Sequence, residues 1–372
     1  MFKALRYLGW PVVCGVLVAA LIIQRYPQWL GLPTQPTFES AQVSSSSRQQ
    51  GPVSYADAAS RAAPAVASLR STKAVKPAKT GDGPADRKGS AKPAEELSLG
   101  SAVLMSHDGY LLTNNHVTLD AESIVVALAD GRQTLAKLIG SDPATDLAVL
   151  KIDLPNLPAI SVGDSSAIRI GDVVLAIGNP FGVGQTVTMG IISATGRNQL
   201  GLNTYEDFIQ TDAAINLGNS GGALVDANGN LIGINTAILS GGSQGIGFAI
   251  PIKLAMEVMK SIIQHGQVIR GWLGVAVEVI TPELVKTYGL KVDQGIVVTD
   301  IDPDGPAYKA GLRSGDVLVK LGGQPVKDGR LAMNQIARKQ PGDSIAIEVQ
   351  RQNKTVQLKA TVGLRPLMEK AR

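Results

Sequence analysis

Residues 212–226, DAAINLGNSGGALVD, place Ser220 between Gly218-Asn219 and Gly221-Gly222. A serine hydroxyl is a weak nucleophile at neutral pH. A nearby general base that takes its proton, and N–H donors aimed at the oxygen of the group it attacks, make it an effective one. Glycines on both sides keep side chains off the hydroxyl and let the backbone turn tightly enough for those donors to converge. The competing reading is a glycine-rich turn with Ser220 as a turn hydroxyl. Partners elsewhere in the chain decide between the two.

The chain has three histidines. His107 lies in SHDG, a turn between strands, and His265 ends a helical stretch just before Gly266, where a polar or positive side chain suits the negative helix end. His116, in YLLTNNHVT, leaves a strand through two asparagines, a place where a side chain can be turned into a cleft. It is the candidate base. The segment SDPATDLAVLKID between His116 and Ser220 offers two acids. Asp142 precedes Pro143 and reads as a turn residue, whereas Asp146 leads directly into an apolar strand, where it can be partly buried and hold the His116 Nδ1–H. GNSGG also fits the Gly-x-Ser-x-Gly elbow of the α/β-hydrolases. That elbow opens a helix, but GGALVDANGNLIGIN after Ser220 reads as a hairpin around an Asn-Gly turn, and the order His116, Asp146, Ser220 is that of chymotrypsin. No His-Glu-x-x-His spacing occurs, which excludes that type of metalloprotease.

The elements that must position these residues are short. Between residues 99 and 250, apolar runs such as GSAVLMSHDGYLLTN, DLAVLKID, GDVVLAIGNP and VTMGIISATG are cut by turn signals, the pattern of an antiparallel barrel protein. Residues 251–265, PIKLAMEVMKSIIQH, change to helical period with Leu254, Val258, Met259, Ile262 and Ile263 on one side, Pro251 at the start and Gly266 at the end. After VIRGWLGV comes a separate region of strands (GIVVTDI, DVLVKLGG, SIAIEVQ, VQLKATV) alternating with two helix-like pieces, GPAYKAG and GRLAMNQIARKQPG. Residues 71–96 are polar and read as a mobile loop inside the first domain.

Composition bounds the rest. A chain of 372 residues, 44% hydrophobic and 18% charged, holds two or three globular domains. The net charge of +4 is concentrated at the N-terminus, since residues 1–92 carry 12 of the 35 Lys/Arg but 4 of the 31 Asp/Glu. The remainder is slightly acidic, which argues against nucleic acid as a partner. Residues 7–24, YLGWPVVCGVLVAALIIQ, are uncharged and long enough for a spanning helix, with Tyr7, Trp10, Tyr26 and Trp29 near its ends. No small-residue cleavage pattern follows, so the reading is a retained anchor and not a signal peptide. Lys3 and Arg6 before it keep residues 1–6 cytoplasmic and send everything beyond residue 25 outward. Cys14, the only cysteine, lies inside the run, so the exported part forms no disulfide. Residues 25–54, rich in Pro, Ser and Gln, read as a linker.

TNNHV, DLAVLKI, GNPFG and QTDAAINLGNSGGALV together resemble the HtrA (Deg) serine proteases, and the resemblance runs from about residue 55 to 365. It implies a mainly β chain: a chymotrypsin-like double β-barrel over 55–266, one PDZ domain over 267–366 and a tail of 367–372, behind the N-terminal transmembrane helix. It implies that His116, Asp146 and Ser220 are the triad, with an oxyanion hole made by the backbone N–H groups of Gly218 and Ser220 and with Asn219 between them. Ala214, Ile215, Ile238 and Leu239 are then placed around the substrate pocket, with no carboxylate for Lys or Arg. GWLGV is similar to the carboxylate-binding loop of the family's PDZ domain, so Trp272, Leu273, Gly274 and Val275, with Met333 and Ile336 on the facing helix, are expected to hold a peptide C-terminus. Arg197 matches the family's sensor arginine. One PDZ domain behind an anchor resembles the DegS-type members: homotrimers in the inner membrane, facing the periplasm, that sense C-terminal peptides of misfolded outer-membrane proteins and cut a membrane-bound anti-sigma factor. No cofactor or metal is implied. A catalytically silent peptide sensor and a general quality-control protease are the competing readings.

Overall fold

The computed structural model describes Gly15 and residues 54–74, 95–180, 184–198, 200–216, 218–238, 245–290, 295–326, 328–352 and 354–366. The anchor at 7–24, nearly all of the linker at 25–54, Leu239 and the tail at 367–372 lie outside them, save Gly15 and Ser54. Among the described residues no helix is long and apolar enough to cross a membrane.

After a short helix α1 (Ala56–Ala62), the first half of the protease region consists of β1 (Val66–Ala74), β2 (Glu95–Leu104), β3 (Tyr110–Thr113), a single-turn helix α2 (Asn115–Thr118), β4 (Ser123–Ala127), β5 (Gln133–Leu135), β6 (Lys137–Asp142) and β7 (Leu147–Lys151). They form an antiparallel sheet in the order β5-β4-β1-β2-β3-β7-β6. The second half consists of β8 (Val173–Gly178), β9 (Thr186–Arg197), β10 (Phe208–Thr211), β11 (Ala223–Asp226), β12 (Leu231–Ile238) and β13 (Gly247–Pro251). These close into a barrel in the order β10-β13-β12-β11-β8-β9. Among the described residues, the expected double barrel is therefore closed by hydrogen bonds in one half only. In the first half, β5 and β6 end the described ladder, and α3 (Ile252–His265) packs on β6 and β7. Gly140 permits that approach: a Cβ there would stand 2.6 Å from the Gly266 carbonyl oxygen and 2.8 Å from Ile262 Cγ2. The buried stripe of α3 is Ile252, Ala255, Val258, Met259 and Ile262, and Gly266 ends the helix at φ 74°.

The polar stretch read as a loop over 71–96 is strand at both ends. Ala74 pairs with Glu95 and Thr72 with Leu97. Backbone pairing satisfies N–H and C=O groups whatever the side chains are, so a polar ladder extends without an apolar face.

The C-terminal unit has its own core, including Leu273, Ile296, Val298, Leu318, Ile347 and Val349. It contains β14 (Gly271–Trp272), β15 (Val275–Val279), α4 (Pro282–Tyr288), β16 (Ile296–Ile301), α5 (Pro306–Lys309), β17 (Val317–Leu321), β18 (Gln324–Pro325), α6 (Gly329–Ala337), β19 (Ser344–Arg351), β20 (Lys354–Thr361) and β21 (Gly363–Leu364). Its sheet runs β15-β16-β17-β19-β20, which leaves β15 at an edge. The two helix-like pieces became α5 and α6; α4 was missed. Its signals were local: the Thr281 hydroxyl caps the Leu284 N–H, proline follows, and Gly289 ends the helix at φ 60°.

Asp142 is not a free turn residue. It is the buried last residue of β6 and takes Arg270 through both carboxylate oxygens, at 2.7 and 2.5 Å. The Arg270 guanidinium lies 4.5 Å above the Tyr205 ring and that of Arg365 lies 5.2 Å from it, so this junction ties the two units together.

Candidate active site

His116 stands on the single turn α2, directly after β3 and the buried Asn114. Asp146 occupies the turn before β7 at φ 58°, a left-handed conformation that aspartate tolerates better than most residues. Its carbonyl accepts the Asn115 N–H at 3.1 Å and the Asn114 side-chain amide at 3.0 Å, so β3 and the Asp146 turn are held together. One carboxylate oxygen takes the His116 backbone N–H at 2.9 Å, and the other meets His116 Nδ1 at 2.7 Å. A carboxylate on Nδ1 fixes the proton there and leaves Nε2 as the basic nitrogen. The carboxylate is mostly buried while half of the imidazole is open, with side-chain exposures of 14% and 49%. His107 bonds the Leu157 carbonyl and His265 sits by the Ser261 carbonyl, so neither competes for the role.

Ser220 is half-buried, and its hydroxyl donates to the Thr236 carbonyl at 3.0 Å. The Thr236 hydroxyl donates to the same Asp146 oxygen that holds His116, at 2.9 Å. Thus His116 and Asp146 are joined directly, while Ser220 reaches them through Thr236, a residue the sequence reading missed. Its signal was two polar residues, Asn235 and Thr236, inside the apolar run LIGINTAI.

Gly218 has φ 96° and Gly221 has φ 81°. A Cβ at Gly218 would meet Pro180 Cβ at 2.4 Å, and one at Gly221 the Ser101 carbonyl at 2.1 Å. Both glycines are therefore required by φ and by space. The N–H groups of Gly218 and Ser220 have no partner among the described residues. Asn219 differs: its N–H is spent on the Asn216 carbonyl at 3.0 Å, and its side chain reaches the Ala214 carbonyl at 3.4 Å. Asn219 therefore braces the loop between the two candidate donors. An N–H already bonded within the turn is not available to a substrate oxygen.

Ala214 is exposed, but Ile215 is packed in the core of the closed barrel, beside Gly247. Its side chain fills the space a Gly247 side chain would take. Ile238 pairs with Gly247 at the end of β12, and Leu239 lies outside the described residues. The nearby carboxylate, Asp212, accepts the Ile191 N–H at 2.7 Å. Among the described residues no cluster of His, Cys, Asp and Glu is arranged to hold a metal ion.

In the C-terminal unit, a groove of about 840 Å³ runs between β15 and α6. Trp272, Leu273, Gly274, Val275, Met333 and Ile336 all line it, as the sequence motifs imply. Residues 201–205 of the protease region also line it, which the sequence did not announce. The segment they belong to docks on α6: Arg330 reaches the Asn203 carbonyl at 3.3 Å and the Glu206 carboxylate at 3.4 Å, and Asn334 donates to the Glu206 carbonyl at 3.3 Å. Arg197, at the end of β9, bonds Gln210 of β10 at 2.8 Å.

The chain matches the trypsin-like peptidase domain over residues 100–234 and the PDZ domain over 271–362. It is 46% identical over 296 residues to the protein of Brucella suis biovar 1 named "Probable periplasmic serine endoprotease DegP-like", covering 77% of this chain and 58% of that one. The similarly named protein of Chlamydia trachomatis is 49% identical over 265 residues, covering 71% and 53%. The chain thus spans little more than half the length of these curated relatives. The HtrA-type protease AlgW, solved with a decapeptide, is 65% identical with a TM-score of 0.74, covering 85% of this chain and 100% of that one. A serine endoprotease from Yersinia pestis is 43% identical at 0.65, with 85% and 100% covered. A trypsin-like peptidase domain followed by a PDZ domain, matched along the whole of a solved relative, means that this chain belongs to the HtrA-type serine endoproteases.

Proposed function

We propose that the chain is a periplasmic, membrane-anchored serine endopeptidase whose cleavage is switched on by peptide C-termini in the PDZ groove. The observation that carries the catalytic part is the Asp146–His116 bond beside a glycine-walled serine. Ser220 Oγ attacks the scissile carbonyl and His116 Nε2 takes its proton. Asp146 stabilises the resulting imidazolium, and the N–H groups of Gly218 and Ser220 receive the developing oxyanion. His116 then protonates the leaving amine, and water hydrolyses the acyl-enzyme by the same route. The hydroxyl must exchange the Thr236 carbonyl for Nε2 before attack, a change of the kind that separates resting from competent sites.

That resting bond favours a switch over a constitutively active site. The groove shares its wall with residues 201–205, which lead into β10 and onward to Ser220, and Arg197 bonds β10. AlgW solved with a decapeptide and with a tripeptide supports a peptide as the ligand, and the GWLGV loop supports its C-terminus as the end that is held. The uncharged run at 7–24 supports retention in the inner membrane, and the names of the curated relatives support the periplasm. The substrate proposed with this role is a membrane-bound anti-sigma factor, in an envelope stress response. A homotrimer fits the exposed apolar face of β9, where Val187, Met189 and Ile191 lie on one side and Met189 is 62% exposed. The relatives named DegP-like periplasmic serine endoproteases favour a second reading, general periplasmic quality control.

The test is labelling of Ser220 by a phosphonofluoridate, with and without a decapeptide ending in a free apolar carboxylate. Labelling accelerated about tenfold or more by the peptide is expected. No labelling at Ser220 under either condition rejects the protease mechanism, and equal rates reject the switch. Cleavage is expected after a small or medium apolar residue, because Ala214 is where trypsin-like enzymes carry an aspartate and Asp212 is tied to β9. A peptide library should show this directly, and a strong preference for cleavage after Arg contradicts it.

A further inference from the structure

We propose that Ser101, on β2 of the first sheet, is a positioning residue that sets the oxyanion loop. The inference rests on the protease mechanism above and names a part of it that no motif contains. Ser101 is completely buried, opposite Ser68 in the ladder with β1, at a point before the β2–β3 pairing begins at Val103. The free edge of β2 is used by the loop around Ser220. The Ser101 backbone N–H donates to the Ser220 carbonyl at 2.8 Å, and its hydroxyl donates to the Gly218 carbonyl at 2.6 Å. The same hydroxyl accepts the Asn179 N–H at 2.9 Å. With that donor occupying a lone pair, the hydroxyl proton is directed at Gly218.

Peptide planarity makes this a statement about the candidate hole. The plane joining Gly218 and Asn219 is held at one end by Ser101 and at the other by the Asn219 N–H bond to Asn216. The next plane is held by the Asn219 carbonyl, which accepts the Gly222 N–H at 2.9 Å. The plane after that is held by the Ser220 carbonyl on Ser101 and by the Gly221 N–H on Asn235, at 2.8 Å. All of these are backbone-to-backbone bonds except the one to the Gly218 carbonyl, which is supplied by a side chain from the other half of the domain. Without the hydroxyl, a buried carbonyl loses its partner. Gly218, with no Cβ to restrict φ and ψ, can then rotate to find another donor. Either rotation moves the Gly218 N–H away from the point it shares with the Ser220 N–H. Ser101 therefore acts through the loop and not on substrate, so its removal should lower the rate of the chemical step and leave ground-state binding intact.

The experiment compares full-length wild type with Ser101→Ala, Ser101→Cys and Ser101→Thr. The cysteine variant keeps the volume with a poor donor, and the threonine variant keeps the hydroxyl. Each is assayed on a peptide ester with an apolar residue before the scissile bond, in the presence of the activating decapeptide, and by thermal unfolding. Ser101→Ala and Ser101→Cys are expected to lose about 10- to 100-fold in kcat, with KM within about threefold, against the 10²- to 10³-fold typical of deleting a donor outright. A peptide aldehyde, whose adduct oxygen occupies the hole, should weaken by the same factor, and Ser101→Thr should restore most of the rate. If the alanine variant does not fold, the cysteine variant alone decides. A folded variant lacking the hydroxyl with kcat within threefold of wild type overturns the proposal. So does a loss of activity wholly accounted for by a smaller fraction of folded molecules. Failure of wild type to take a phosphonofluoridate at Ser220 would instead refute the protease mechanism, so the two failures are distinguishable.

Discussion

Ser220→Ala is expected to lower kcat/KM by about 10⁴-fold or more, and His116→Ala by a comparable factor, while the double variant is little worse than either alone. The non-additivity is the informative part, because residues that act as one unit cannot each be removed twice. Asp146→Asn should also cost about 10⁴-fold, for a reason visible in its contacts. The carboxylate accepts from the His116 backbone N–H, from the Nδ1 side of the imidazole and from the Thr236 hydroxyl. An amide has one acceptor oxygen, so its NH₂ must confront one of these donors, and the imidazole is driven to the tautomer with Nε2 protonated and unable to take the serine proton. Stability separates the variants. Ser220 gives up a single hydrogen bond to the Thr236 carbonyl, worth about 1 kcal/mol, so Ser220→Ala should melt close to wild type. Asp146→Asn should melt lower, since the aspartate joins β12, α2 and the turn before β7. Burst titration together with thermal unfolding checks both. A Ser220→Ala protein that still cleaves at a hundredth of the wild-type rate would assign the nucleophile elsewhere.

What the sequence made legible follows from how each feature is encoded. Ser220 and its glycines form one contiguous stretch, and the glycines are required by φ at Gly218 and Gly221, so the loop announces itself. The helix Ile252–His265 was readable because its apolar stripe, its proline and its terminal glycine are all local. Thr236, Ser101 and the Asp142–Arg270 pair were not readable. Each acts through a contact between residues far apart in the chain, 128 positions in the last case. A buried serine in an apolar strand looks like any small residue until its partner is located, and Asp142 before Pro143 carries a turn signature that burial overrides. The inward turn of the Asn219 N–H to Asn216 was not legible either, because it depends on the fold of the loop and not on residue type. The seam of the first sheet was likewise set by α3 packing on β6 and β7, a tertiary event with no local signal.

Glu206→Ala should abolish the response to activating peptide, taking the ratio of activated to basal cleavage from about tenfold or more to about one. The Glu206 side chain is completely buried, and it accepts the backbone N–H groups of Leu200 at 2.8 Å, Leu202 at 2.7 Å and Asn203 at 3.1 Å. It therefore gives residues 200–206 their shape from within, while Arg330 and Asn334 of α6 hold the same residue from the PDZ side. Residues 201–205 form part of the groove wall, and β10 begins two positions after Glu206, so a peptide in the groove meets a segment rigidly joined to the strand that leads toward Ser220. Without the carboxylate, several backbone donors lose their acceptor at once, and each loss costs about 1 kcal/mol or more where water cannot replace it. The segment then has no single arrangement for the peptide to favour. A ligand shifts an equilibrium only by its differential affinity for the two states, and about 1.4 kcal/mol of coupling corresponds to the tenfold response that should disappear. The peptide should still bind, because the groove floor of Leu273, Ile336 and their neighbours is untouched. Arg197→Ala, which releases β9 from Gln210 but leaves the segment shaped, should weaken the response without abolishing it. Titrating the decapeptide by fluorescence anisotropy alongside the cleavage assay separates binding from response. A Glu206→Ala protein that binds peptide and is activated as strongly as wild type would show that coupling runs through the Arg270–Asp142 junction instead.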